Sequence, residues 1–184
     1  MWSYNGFAEA TNYSAAYNAT SLYNVQYAHD ALGRITEKTE TIGGVTTTFG
    51  YTYDLTGRLT SVMTDGVIIA SYTYDSNGNR LSYTSPGGVI NGTYDAQDRL
   101  LQYGMTIYAY TANGELLTTT NGAQITDYQY DALGNLISVT LPNNTQITYL
   151  VDGQNRRIGR RVNGSLVQGF LYEDGLRAIA ELDG

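Results

Sequence analysis

Apolar and polar residues alternate along most of the chain, in short segments that end at glycine, asparagine or aspartate. Tyr51-Thr52-Tyr53 and Tyr128-Gln129-Tyr130 are typical: a polar residue stands between two aromatic ones. Because successive side chains of a strand point to opposite faces, this alternation predicts strands with one aromatic face and one smaller, more polar face. Strong helix formers never gather into a long amphipathic run. The pattern therefore predicts an all-β protein.

A short unit recurs in these segments: aromatic, any residue, aromatic, Asp, two variable residues, Gly, Arg or Asn, aliphatic. Full copies occupy 51–59 and 128–136, and 27–35 is a third copy with His29 in one tyrosine position. Looser copies begin at Tyr72, Tyr94, Tyr108, Tyr149 and Phe170. In all eight copies together, the position of the motif's aspartate, where the turn begins, is residue 30, 54, 75, 95, 111, 131, 152 and 173. Such regular recurrence identifies a repeat protein.

The residues expected to specify the structure are those at the positions that recur from copy to copy. They are Tyr27, Asp30, Gly33, Arg34, Tyr51, Tyr53, Asp54, Gly57, Arg58, Tyr72, Tyr74, Asp75, Gly78, Tyr94, Asp95, Arg99, Tyr108, Tyr110, Gly114, Tyr128, Tyr130, Asp131, Gly134, Tyr149, Asp152 and Tyr172.

The Asp-x-x-Gly segment is a turn signature, because Asp favours the first position of a type I turn and Gly the fourth. A glycine with positive φ then forms the bulge of a three-residue hairpin loop. For the copy at 51–59, this register places Tyr53 opposite Leu59 and Asp54 opposite Arg58. The copy at 72–81 has Arg80 one position late, so we expect it to need a further bulge.

A second turn stands midway between most copies, at residue pairs that accept positive φ at both central positions. These pairs are Gly43-Gly44, Asp65-Gly66, Gly87-Gly88, Asn121-Gly122, Asn143-Asn144 and Asn163-Gly164. The predicted architecture is an antiparallel meander of repeated β-hairpins. A sheet of about fifteen strands does not stay flat, so we expect a curled or spiral sheet. Residues 1–19 are expected to form a partial N-terminal repeat or strand, and 20–184 about eight repeats in one continuous array.

Charge and rare residues exclude several functions. The net charge is −7, which argues against nucleic acid, and the turn aspartates account for much of the acidity. Cysteine is absent and His29 is the only histidine, so neither a zinc site nor a Ser-His-Asp triad is indicated. The turn aspartates could also suggest calcium, but each loop lacks the several ligands that Ca²⁺ takes. We expect no catalytic residue, no metal and no cofactor.

Arg156-Arg157 and Arg160-Arg161 form one basic cluster. At alternating strand positions its side chains should lie on both faces, either solvated or paired with carboxylates. No apolar run approaches the roughly 20 residues of a membrane helix, and no signal peptide is visible. Both ends look like cuts in a longer repeat array.

The segments Tyr53–Leu59, Tyr130–Leu136 and Asp30–Ile35 resemble the RHS/YD repeats of bacterial Rhs proteins, Tc toxin B and C subunits and animal teneurins. The resemblance covers about residues 20–184, and the Thr-rich, cysteine-free sequence favours the bacterial branch. It implies a β-ribbon that spirals into a hollow shell around a C-terminal toxin domain, in a secreted or cell-surface bacterial protein. The family's Asp-Pro self-cleavage motif is absent, since neither Pro86 nor Pro142 follows an aspartate.

Three functions remain at this point. The first is a non-catalytic segment of a shell that encloses or supports a toxin or effector domain, with other repeats and that domain as partners. The second is a cell-surface module whose tyrosine-rich faces bind carbohydrate or protein. The third, least favoured, is an enzyme, and it would need an activity that survives replacement of His29. The open edges of a cut sheet also predict that the isolated chain self-associates.

Overall fold

The computed structural model describes every residue of the chain, Met1–Gly184, and contains 18 strands and no helix. The predicted all-β fold is confirmed. The chain divides into two compact units, Met1–Gly92 and Thr93–Gly184. Within each unit, the strands pair antiparallel with their neighbours in sequence, as a meander requires.

Strands β1 to β8 and most of β9 belong to the first unit. They are β1 (Trp2–Tyr4), β2 (Ala10–Tyr17), β3 (Thr20–His29), β4 (Ile35–Ile42), β5 (Val45–Tyr53), β6 (Leu59–Thr64), β7 (Val67–Tyr74), β8 (Arg80–Ser85) and β9 (Gly88–Tyr94).

Strands β10 to β18 belong to the second unit. They are β10 (Leu100–Tyr103), β11 (Thr106–Tyr110), β12 (Leu116–Asn121), β13 (Gln124–Tyr130), β14 (Leu136–Thr140), β15 (Gln146–Val151), β16 (Arg157–Val162), β17 (Ser165–Tyr172) and β18 (Ala178–Asp183).

Two kinds of turn connect these strands. In the first kind, the N–H of the first residue donates to the carbonyl oxygen four residues later, as between Asp54 and Arg58 at 2.9 Å. The residue that precedes the last one usually has positive φ and creates a bulge in the ladder, as Gly57 does at φ 87°. Every turn position expected from the repeat begins such a turn.

The structure adds two turns of this first kind that the sequence pattern missed. One runs from Asn5 to Glu9, with Ala8 at φ 63°, and joins β1 to β2 within residues 1–19. The other runs from Leu141 to Thr145, with Asn144 at φ 62°. The expected two-residue turn at Asn143-Asn144 was therefore wrong, because Leu141 takes the place of the repeat's aspartate.

The second kind of turn has two central residues. Gly43-Gly44, Asp65-Gly66 and Asn163-Gly164 adopt it as predicted, with positive φ at both positions. Two predicted turns were displaced by one residue. Ser85 pairs with Gly88 and Asn121 with Gln124, so the central residues are 86–87 and 122–123.

The buried core is thin. Val25, Ala70 and Val139 are the only buried apolar side chains. The aromatic face of each unit is half-buried, and the opposite face carries hydroxyl pairs such as Thr52 with Ser61, at 2.6 Å between their side-chain oxygens. Cross-strand pairs and turns, and not a deep core, therefore hold each unit together.

Candidate functional site

The aspartate of each full repeat caps its own turn, and Asp54 shows how. Its Oδ1 accepts the backbone N–H groups of Thr56 and Arg58, both at 2.9 Å, and its Oδ2 accepts the Arg58 Nε–H at 2.6 Å. These bonds, led by the Arg58 backbone N–H, hold the pKa of Asp54 well below its usual value, although burial opposes them. The carboxylate is thus charged and fully used in positioning the turn.

The same arrangement recurs in both units. The aspartate Oδ2 accepts an arginine Nε–H in three further copies: Asp30 with Arg34 at 2.7 Å, Asp95 with Arg99 at 2.6 Å and Asp152 with Arg156 at 2.8 Å. Asparagine replaces arginine in two copies: Asp75 with Asn79 at 2.9 Å and Asp131 with Asn135 at 2.8 Å.

The arginine then reaches the next copy along the chain. The Arg58 guanidinium lies over the Tyr74 ring, 4.9 Å from its centroid, and its Nη1 donates to the Asp75 carbonyl oxygen at 2.7 Å. Arg34 relates in the same way to Tyr53 and Asp54, at 4.7 Å and 3.4 Å. One side chain therefore joins two successive turns.

The second tyrosine of each copy completes the connection by reaching back. The Tyr74 hydroxyl donates to the Leu59 carbonyl oxygen at 2.8 Å, one residue past the arginine that lies over its ring. The same bond recurs in three other copies: Tyr53 to Ile35 at 2.7 Å, Tyr110 to Leu100 at 2.8 Å and Tyr172 to Arg157 at 2.9 Å. We call the capped turn, the arginine over the next tyrosine and this returning hydroxyl the repeat clamp.

The first tyrosine of each copy is not part of the clamp. Tyr72 pairs across strands with Tyr83, and their ring centroids are 5.6 Å apart. Tyr51 pairs with Val62, and Tyr128 with Val139. These first tyrosines build the aromatic ladder. The second tyrosine, Tyr53, pairs with Leu59, and this predicted pairing is confirmed.

The copy around Asp75 corrects an expectation. It keeps the ordinary register: Asp75 N–H donates to the Asn79 carbonyl oxygen, and Tyr74 pairs with Arg80. Asn79 thus takes the arginine position and Arg80 the aliphatic one. The predicted further bulge is absent because no residue is inserted.

In two copies the acid stands at the last position of the turn and not at the first. Glu9 accepts a bond from the Asn5 amide at 2.5 Å, and the Thr111 hydroxyl donates to the Glu115 carboxylate. The Glu9 carboxylate also packs against Gly33 of the next copy. The contact is so close that a Cβ added at Gly33 would lie 2.5 Å from a carboxylate oxygen of Glu9. The copy at Asn5 was missed because it lacks both the aspartate and the glycine, although Trp2-Ser3-Tyr4 preserves the aromatic alternation.

The single histidine and Tyr23 are also held within the sheet. His29 pairs with Ile35, which is the place that the second tyrosine occupies in other copies. The Tyr23 hydroxyl donates to Glu40 at 2.8 Å, and this bond raises the pKa of Tyr23 to about 12.

No group of three histidine, cysteine or acidic residues could hold a metal ion. No helix is long and apolar enough to span a membrane.

The basic cluster lies on both faces of the sheet, as predicted, but two of its arginines share a face at an unexpected spacing. Arg157 pairs with Val151 and Arg160 with Tyr149, and these two partners lie on the same face of β15. A bulge between Leu150 and Val151 therefore brings Arg157 and Arg160 to one face, although they are three residues apart. The pairing of Arg161 with Thr148 places that side chain on the opposite face.

Comparison with known proteins agrees with the repeat geometry. A family model described as Teneurin YD-shell matches residues 1–181. Teneurin-3 of Danio rerio is 32% identical over 159 residues, covering 83% of this chain and 6% of the relative. The tRNA nuclease WapA of Bacillus subtilis is 29% identical over 125 residues, covering 65% of this chain and 5% of the relative.

Among solved structures, TcdB2-TccC3 without its hypervariable C-terminal region has a similar fold. The TM-score is 0.64 at 17% identity, and the match covers 85% of this chain and 10% of that chain. The chain therefore spans only a small part of the relatives that it matches. The family model covers nearly all of it, and the repeat clamp recurs along it. The chain belongs to the teneurin YD-shell family of RHS/YD-repeat proteins.

Proposed function

We propose that the chain is a non-catalytic wall segment of an RHS/YD shell that encloses or supports a toxin or effector domain. The observation that carries the proposal is the repeat clamp. It commits the aspartates, arginines and second tyrosines of the motif to backbone groups of their own and the next copy. A motif whose acids and bases are committed in this way serves mechanical continuity and not proton transfer to a substrate.

The exposed surface supports a role inside a larger assembly. The chain exposes 12003 Å², compared with about 8,700 Å² expected of a compact monomer of 20.1 kDa. Several apolar side chains, such as Ile68 and Val89, are more than half exposed. Further repeats of a parent shell, or the domain that the shell encloses, would cover such surface.

Protease protection of the parent protein tests the proposal. In the parent reading frame, the domain that follows the repeats should resist protease while the shell is intact. Deletion of 51–92, about two repeats, should expose that domain to cleavage and leave its own activity unchanged once it is released. A parent frame without further repeats, or a downstream domain equally protected after the deletion, contradicts the proposal.

The alternative is a cell-surface module that binds carbohydrate on its tyrosine-rich faces. It is favoured by ring pairs such as Tyr72 and Tyr83, which present a half-buried aromatic surface. Cross-strand packing explains the same pairs without a ligand. A glycan array decides: binding that Tyr83→Ala abolishes and Thr73→Ala, on the opposite face, preserves would favour the alternative.

The partners and location follow from the same proposal. We propose a secreted or cell-surface bacterial protein whose sheet edges pair with other repeats of its shell. β1 pairs with β2 and β18 with β17, which leaves an outer edge on each of these two strands. The isolated chain should therefore self-associate, and light scattering that shows a strict monomer at high concentration would contradict this.

A further inference from the structure

A groove on the aromatic face of the second unit contains two arginines whose side chains no clamp uses. It has a volume of about 470 Å³, and it is lined by Tyr149, Phe170 and Tyr172 together with Arg157, Arg160 and Gln168. Neither arginine forms an ion pair, and no carboxylate lines the groove. This is unusual in a chain of net charge −7 whose turn arginines each pair with an acid.

The two guanidinium groups differ in their surroundings. Arg157 is exposed and lies over the Tyr149 ring, 4.0 Å from its centroid, at the side of the groove. Arg160 is half-buried, and its Nε is shielded from solvent with no hydrogen-bond partner in the protein. A buried donor without a partner is unfavourable, so a shift of the Arg160 side chain towards an acceptor in the groove would satisfy it.

The nearby acid is already engaged. Glu181 pairs with Phe170 on the neighbouring strand, and it accepts a bond from the Gln168 side chain. Gln168 stands between this carboxylate and Arg160, because it pairs with Arg160 across β16 and β17. Glu181 therefore fixes Gln168 and does not line the groove.

We propose that this groove binds an acidic peptide segment, with a carboxylate held by Arg160 and Arg157. A guanidinium fork matches the two oxygens of a carboxylate, and fixed rings beside it can pack against apolar neighbours in the peptide. The side-chain carbonyl oxygens of Gln168 and Asn135 supply acceptors of the kind that a peptide N–H needs. The inference rests on the proposed shell function, because the acidic peptide segment would belong to the toxin or effector domain that the shell encloses.

Fluorescence anisotropy with the full chain tests the inference. The probe is a short labelled peptide in which glutamate alternates with leucine, and its counterpart has glutamine in each glutamate position. The glutamate peptide should bind at least about tenfold more tightly than the glutamine peptide, and added salt should weaken it. Equal binding of the two peptides would overturn the proposal.

Three variants locate the site. Arg160→Gln and Arg157→Gln should each weaken the glutamate peptide about tenfold, whereas Arg161→Gln, on the opposite face, should leave its affinity unchanged. If Arg160→Gln does not fold, as its thermal melt would show, Arg157→Gln still tests the groove because that side chain is exposed. Unchanged affinity in Arg157→Gln, or equal loss in Arg161→Gln, contradicts the site.

Inorganic phosphate separates a peptide site from a site for small free anions. Phosphate alone should bind more weakly than the peptide, and tighter binding of phosphate would overturn the peptide assignment. The result is independent of protease protection. A shell wall that protects its domain but binds neither peptide would refute this inference and leave the proposed function intact.

Discussion

The turn at Asp54–Arg58 and the turn at Glu173–Arg177 have the same length and each has an acid at its start and an arginine at its end, yet they are built differently. In the first, the Asp54–Arg58 pair has side-chain exposures of 24% and 31%, and Asp54 caps the turn. In the second, the Glu173–Arg177 pair is 56% and 71% exposed. There the cap comes from Asp174, whose Oδ1 accepts the N–H groups of Leu176 and Arg177.

The residue before the base differs between the two turns. Gly57 has φ 87°, and Arg58 after it is directed towards the next copy. Leu176 occupies the corresponding position and does not adopt positive φ, which is costly for a residue with a Cβ. Arg177 pairs only with Glu173 among acidic groups. An acid and a base at this spacing are therefore not enough to make the first residue of the turn its cap.

Acid should produce the largest effect, since it acts on all the regular turns together. Hydrogen bonds in the turns lower the pKa of Asp30, Asp54, Asp75, Asp131 and Asp152 in the folded protein. Their contribution to stability is fully present above the unfolded pKa of about 3.9 and is lost as pH falls through the lower folded values. The urea midpoint should therefore be constant from pH 7 to about 5 and fall steeply below about 4.

A matched pair of variants attributes this acid sensitivity to the caps. Asp54→Asn keeps an acceptor for the turn amides, as Asn5 shows in its own turn, but it does not titrate. It should reduce the loss of stability in acid, whereas Asp183→Asn at the end of β18 should not. A urea midpoint that is independent of pH down to pH 2 would contradict the role assigned to the carboxylates.

Gly57→Leu places in the Asp54–Arg58 turn the residue type that Leu176 has in the Glu173–Arg177 turn. It should lower the free energy of unfolding by about 1–2 kcal/mol, the cost of a left-handed conformation for a residue with a Cβ. A Cβ there would lie 3.6 Å from the Arg34 Nη1, an ordinary contact, so the Cβ adds a conformational cost and no clash. Gly57→Asn is the control and should recover most of the loss, because Asn155 already holds this position at φ 60°.

Much of this architecture could be predicted from the sequence, because the information is local. Asp54, Gly57 and Arg58 lie within five residues, and their residue types specify the turn directly. The contact of Arg58 with Tyr74 could not be predicted, since it depends on how one hairpin lies beside the next. The groove at Arg157 and Arg160 was missed for a similar reason: a bulge changed the face on which one side chain lies.

Arg58→Ala should have a clear effect on stability and Arg177→Ala almost none. Arg58 lies over Tyr74 and donates to the Asp75 carbonyl oxygen, so its loss should cost about 1 kcal/mol. Arg177 forms an exposed ion pair, which contributes little in water. Urea unfolding of the two variants measures the contrast. Equal losses would mean that the turn pair itself, and not the reach to the next copy, is what stabilises the repeat.

The smallest expected effect concerns the returning hydroxyl. Tyr74→Phe removes the part-buried bond to the Leu59 carbonyl oxygen and should cost about 0.5–1 kcal/mol, since the ring stays in place beneath Arg58. Tyr172→Phe removes the corresponding bond to Arg157 beside the last turn, where it is exposed, so water can replace the lost donor and the cost should be smaller. Tyr72→Phe is the control, because the Tyr72 ring packs on Tyr83 and its contribution does not depend on the hydroxyl. If Tyr74→Phe were as neutral as Tyr72→Phe, the clamp would consist of the turn and the arginine alone.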